Sequence, residues 1–131
     1  MFKIHKKFEK TTYYVTDLKL CQVRLQDNAK FPWIMLLPKR KGVCQIMDLT
    51  RKDQIQLMDE IQHCSKAMKK HFNGFNLNVE KVGNIIPQLH IHVIARHKKD
   101  ATWPLSVWVV KGKPYTKDEL AKTLAKLKKI I

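Results

Sequence analysis

Acidic residues are scarce in this chain. Its 131 residues include 11 Asp and Glu against 26 Lys and Arg, a formal net charge of +15. Cysteine is also scarce. Cys21, Cys44 and Cys64 are an odd set with no Cys-x-x-Cys spacing. That argues against a disulfide framework and for a reducing, cytoplasmic setting. Long apolar runs are missing. Trp33 to Leu37 is among the longest, far short of the roughly 20 residues that span a bilayer, so no membrane association is expected. The start, Met1 to Lys7, has no apolar core segment, and no secretory signal is expected. There is no internal repeat and no low-complexity linker. Few aromatic residues sit among the lysines, so the chain has no obvious base-stacking platform.

What is present suits one soluble domain spanning residues 1–131, with 44% hydrophobic and 28% charged residues. A positive field attracts anionic ligands, a polyphosphate or a nucleic acid among them. The lysines are spread along the chain, which favours a generally lysine-decorated surface over a dedicated nucleic-acid face.

Taken in order, Phe2 to Lys10 reads as an arm or short helix. Thr11 to Val15 and Leu20 to Leu25 read as strands, the second with Cys21, Val23 and Leu25 on one face. Gln26 to Lys30 is a turn by composition. Phe31 to Leu37 is a third strand, apolar throughout and so covered on both faces. Thr50 to Asp53 is a capping pattern that opens a long helix to about Phe72, with Leu57, Ile61, Cys64, Met68 and Phe72 as its core stripe. Asn73-Gly74 ends that helix. Phe75 to Glu80 and Gln88 to Arg96 read as a hairpin, and Ser106 to Val110 as a short edge strand. Thr116 to Glu119 is a second capping box that starts a terminal helix with Leu120, Leu124, Leu127 and Ile131 on one face. The expectation is an α+β domain, an antiparallel sheet of about five strands with helices on one face.

The chemistry concentrates in Pro87-Gln88-Leu89-His90-Ile91-His92-Val93-Ile94-Ala95-Arg96. On a strand, Gln88, His90 and His92 line one face and Leu89, Ile91 and Val93 the other. A lone strand histidine is usually an ordinary surface or satisfied core residue, but two in phase with a third polar residue point to a site. Zinc is the rival reading, since His-x-His recurs in zinc sites. It would need about two more ligands, and no acidic residue or cysteine lies near in sequence.

Gln88-Leu89-His90-Ile91-His92-Val93-Ile94 resembles the signature of the histidine triad family, in which three histidines alternate with apolar residues. Asn78, Gly83 and Asn84 resemble the family's phosphate-site residues before the signature. Phe31 to Lys39 resembles its earlier strand ending in Pro-Lys. Arg96, Asp100, Trp103-Pro104 and Val107-Trp108 resemble the segment after the signature in a bacterial, hydrolase-like branch that carries Gln in place of the first triad histidine.

The resemblance implies a histidine triad fold and a nucleotidyl hydrolase or transferase. Its substrates would be nucleoside polyphosphates such as diadenosine tetraphosphate, or nucleoside phosphoramidates. It implies a homodimer and no cofactor or metal. His90 matches the nucleophile, and the carbonyl of Gln88 the acceptor of its second ring proton. His92 matches the residue that holds a non-bridging phosphate oxygen, as a cation in one version of the role. The Gln88 amide is a further candidate phosphate donor, and Gly83 and Asn84 would cover another oxygen or the leaving group. Asn78 matches a ribose or phosphate position, and Asp27 and Asn28 lie near the ribose-contacting segment. Trp33 stands where some members carry an additional histidine, and Lys41 where others have histidine after Pro-Lys. Trp103 and Trp108 are expected to pack a core or an interface, with closure of the pocket as their other role. Two alternatives stay open: nucleotide binding with little catalysis, and hydrolysis of adenylated nucleic-acid ends.

Overall fold

Alternating side chains build a sheet with two covered faces. The computed structural model describes all 131 residues. A short helix α1 (Lys6–Thr11) leads into β1 (Thr12–Asp17), β2 (Cys21–Gln26) and β3 (Trp33–Pro38). The long helix α2 (Arg51–His71), the hairpin strands β4 (Asn76–Glu80) and β5 (Ile91–Arg96), and the terminal helix α3 (Lys117–Ile130) follow. All neighbouring strands are antiparallel, in the order β1-β2-β3-β5-β4.

On one face, Cys21, Val23 and Leu25 of β2, Ile34 and Leu36 of β3, and Ile91 and Val93 of β5 pack with Leu57, Cys64 and Met68 of α2 and Leu127 of α3. The expected stripe of α2 is the buried one, and Ile61 and Phe72 complete it from the edge. Thr50 caps α2 by accepting from the Asp53 N–H, and the Thr116–Glu119 box caps α3. On the other face, Trp33, Met35, Leu37 and Ile94 pack with Phe8 of α1 and with Phe31 and Val107. Helices therefore cover both faces, where only one was expected to be covered: α2 and α3 lie on one and α1, through Phe8, on the other. No helix is long and apolar enough to cross a membrane.

Two further sequence-based expectations are corrected here. The signature strand begins at Ile91, not Gln88. The register pairs Leu36 with Ile91, so two more residues would set Leu89 against Pro38, which has no N–H for a ladder. The Leu89 N–H donates instead to the carbonyl of Val43 at 3.0 Å. Ser106 to Val110 is not a strand. Val107–Val109 forms one turn of 3₁₀ helix, because the Ser106 hydroxyl accepts from the Trp108 N–H and folds the chain back.

One buried carboxylate fixes α2 to the sheet. Glu60 is 5% exposed and accepts from the backbone N–H groups of Leu20 and Cys21, each at 2.8 Å, and from Gln56 Nε2 at 2.7 Å. Both N–H groups stand at the entry to β2, and no backbone carbonyl takes them. Glu60→Ala should lower unfolding stability by about 2–4 kcal/mol through two orphaned donors. Urea denaturation reads this as a lower midpoint, and an unchanged midpoint would refute the tether.

Candidate active site

The two signature histidines lie on the α1 face. His90 comes just before β5 and His92 is its second residue, and they are 6% and 3% exposed. Their rings meet edge to face with centroids 4.9 Å apart. Both line a cleft of about 310 Å³ with Phe8, Thr11, Gln26, Met35, Gly83, Asn84, Ile86 and Trp108.

Each ring is held at Nδ1 by a neighbour with one possible role. His90 Nδ1 lies 2.7 Å from the Gln88 carbonyl. A carbonyl only accepts, so Nδ1 carries the proton and Nε2 keeps its lone pair. His92 Nδ1 lies 3.0 Å from Trp33 Nε1. An indole N–H only donates, so His92 Nδ1 must accept and Nε2 carries the proton. That Nε2 is buried with no hydrogen-bond partner. Two neighbouring imidazoles are thus set in opposite tautomers, one offering a lone pair and the other an N–H.

Burial keeps both rings neutral. It is the main cause that lowers the His90 pKa, with the Lys81 charge adding to it, and the bond to the Gln88 carbonyl opposes both. Burial pushes His92 down to about 3, helped by the neighbouring His90. A neutral His92 can donate one hydrogen bond but does not supply a cation.

Of the other sequence-derived candidates, Gly83 and Asn84 reach the cleft with the histidines. Gly83 has φ +69°, a left-handed conformation that suits glycine and turns the loop over the site. Gln88 does not line this cleft. Its amide is spent on the N-terminal arm, and it borders a separate, smaller cleft with Lys3, His5 and Arg40. Asn78 lies on the same sheet face, but its Oδ1 accepts from Arg96 Nη1 at 2.7 Å. Asp27 accepts from the Tyr115 N–H at 2.9 Å and from the Tyr13 hydroxyl at 3.3 Å. Asn28 is buried and accepts from the Lys30 N–H. Asp27 and Asn28 therefore hold the β2–β3 turn and the segment before α3, and neither lines the cleft. No three His, Cys, Asp or Glu side chains converge as metal ligands would.

Trp108 has a larger part in the site than core packing. Half exposed, it lines the cleft, stacks edge-on against both Trp33 and His92, and donates from Nε1 to Glu80 at 3.0 Å. Its loop is anchored by Arg96, which is 1% exposed. The guanidinium forks onto Asp100 at 2.7 and 3.1 Å, and also reaches Thr102 Oγ1 and the Leu105 carbonyl. Burial alone would raise the Asp100 carboxyl. The Arg96 fork and the N–H groups of His97, Thr102 and Trp103 outweigh it and hold the group at about 2. Phe8, Thr11 and Gln26 are lining residues that the sequence did not single out. Phe8 packs edge-on against His90 with centroids 4.7 Å apart.

Comparison with known proteins identifies the family. The HIT domain family model matches residues 7–99. The crystal structure of a histidine triad protein from Bradyrhizobium japonicum is 35% identical, with a TM-score of 0.96 over 99% of this chain and 98% of that one. A histidine triad protein from Marinobacter aquaeolei VT8 is 34% identical, also at 0.96, over 99% and 96% of the two chains. The bis(5'-adenosyl)-triphosphatase of Dictyostelium discoideum is 27% identical over 93 residues, which span 67% of this chain and 61% of that protein. The chain belongs to the HIT domain family.

Proposed function

We propose that this protein is a hydrolase that cleaves at the α-phosphate of nucleoside polyphosphates or nucleoside phosphoramidates through a nucleotidyl-histidine intermediate. The observation that carries this reading is the pair of opposite tautomers at the cleft. Support comes from the family, and from a distant relative named as a diadenosine triphosphatase. Met35, Phe8 and Ile86 offer apolar wall for a nucleoside, and the +15 charge favours anionic substrates.

The chemistry runs in two displacements. The His90 Nε2 lone pair forms a bond to the α-phosphorus, and the bond from phosphorus to the leaving oxygen or nitrogen breaks. The leaving group departs with that electron pair, and an amine takes a proton from solvent as it leaves. His92 Nε2–H donates to a non-bridging oxygen, and Asn84 with the Gly83 backbone covers another. Water then attacks phosphorus, His90 leaves with its lone pair, and the water's proton passes to solvent. The products are a nucleoside monophosphate and the free leaving group.

Intact mass after brief mixing with dinucleoside polyphosphates and nucleoside phosphoramidates should show a nucleotidyl adduct on wild type and none on His90→Ala. The variant's kcat should fall by about 10³-fold or more. No adduct and no turnover, with a monophosphate still bound, would replace this reading with a nucleotide-binding one. Turnover confined to adenylated nucleic-acid ends would replace the substrate class. Protonation of His90 removes the nucleophile, and its pKa lies below the ordinary 6.5. The acid limb of the activity profile should therefore be centred below pH 6.5. An acid limb centred above 6.5 would contradict a desolvated His90.

His92 makes a separate prediction for stability. Its folded pKa is depressed to about 3 from 6.5. Below about pH 6.5 the unfolded chain binds a proton that the folded chain refuses, so stability is lost as pH falls toward the folded value. Between pH 6 and 4, wild type should lose up to about 1.4 kcal/mol per pH unit more than His92→Gln, which keeps an acceptor for Trp33. Parallel stability curves for the two proteins would show that His92 protonates freely in the fold.

A further inference from the structure

We propose that Gln88 is a positioning residue, whose side-chain amide clamps the N-terminal arm beside the site and thereby steadies the carbonyl that meets His90. The kinetic part of this inference rests on the hydrolase reading above, and the structural part stands without it.

Gln88 Oε1 accepts from the His5 N–H and Gln88 Nε2 donates to the Lys3 carbonyl, both at 2.8 Å. One primary amide thus pairs with alternate backbone groups of an extended segment, as a peptide group does in a strand ladder. Apart from bonds within α1 and its cap, these are the hydrogen bonds that tie residues 1–5 to the chain. Phe2 and Ile4 add partial apolar burial against the Phe8 cluster.

The arm leads directly to the nucleophile. The His5 side chain caps α1 by accepting from the Lys7 N–H. Three residues past His5, Phe8 is buried against the edge of the His90 ring, and one turn later Thr11 lines the cleft. At its other end, Gln88 gives its carbonyl to His90 Nδ1 at 2.7 Å. Gln88 precedes β5, so no sheet ladder holds that carbonyl in place. The clamp and the Leu89–Val43 bond hold it instead. A histidine with its proton placed this way is a good nucleophile only while its acceptor stays put, so the arm and the nucleophile share one support.

The test uses Gln88→Met, which keeps length and carbonyl but loses the amide, and Gln88→Ala, which also removes packing. Amide hydrogen exchange at His5, Lys7 and Phe8, the hydrogen-bonded amides of the arm and its junction with α1, should run about 10-fold or more faster in both variants than in wild type. With a nucleoside phosphoramidate as substrate, kcat should fall by about 10-fold with KM within about twofold, because the cleft remains and the nucleophile loses its aim. Unchanged exchange in both variants would overturn the clamp. A loosened arm with unchanged kcat would overturn the link to His90. Absence of turnover in wild type would defeat the hydrolase reading, and exchange would still decide the clamp.

Discussion

A backbone carbonyl accepts and an indole N–H donates, and neither can reverse its role. The site rests on that constraint. Because the Gln88 carbonyl meets His90 Nδ1 and the Trp33 indole meets His92 Nδ1, two similar rings carry their protons on different atoms. Burial then removes the easiest escape, which is for both rings to become cations near neutral pH. A partner able to play both roles at Trp33 would leave the His92 tautomer free to change. Tryptophan removes that freedom and makes His92 a neutral donor.

Holding these bonds requires a stiff frame, and the frame is polar at its critical joints. Glu60 ties α2 to the start of β2, whose neighbour β3 carries Trp33. Arg96, at the end of β5, gathers Asn78, Asp100, Thr102 and the Leu105 carbonyl, and so fixes the loop that sets Trp108 against His92. Both groups are almost wholly buried, and both have every strong interaction satisfied by short-range partners. Buried charge is tolerated only on those terms. The sheet supplies the strands, and these two joints set their ends.

Much of this was legible in the sequence where local periodicity carries the information. The Leu89-Ile91-Val93 alternation, the α2 stripe and the Thr116–Glu119 cap each follow from spacing within one element. So did the pairing of His90 with His92. Gln88 shares their period but not their cleft, because the ladder stops where Pro38 would stand opposite Leu89 and because the arm takes its amide. The Trp33–His92 bond depends on the β3–β5 register, which no local pattern specifies. Asn78, Asp27 and Asn28 have side chains as suited to structural hydrogen bonds as to ligand contacts, and tertiary neighbours claimed all three. Phe8 could not be assigned because its importance comes from α1 crossing to the histidine face. Glu60 looked like any polar residue of a helix until the unpaired N–H groups of Leu20 and Cys21 came into reach.

The most direct test is a long-range ¹H–¹⁵N spectrum of the histidine rings near pH 7, with His90→Ala and His92→Gln used for assignment. The account requires His90 as the neutral Nδ1–H form and His92 as the neutral Nε2–H form in the same molecule. Two rings in one tautomer, or either ring charged at that pH, would contradict it.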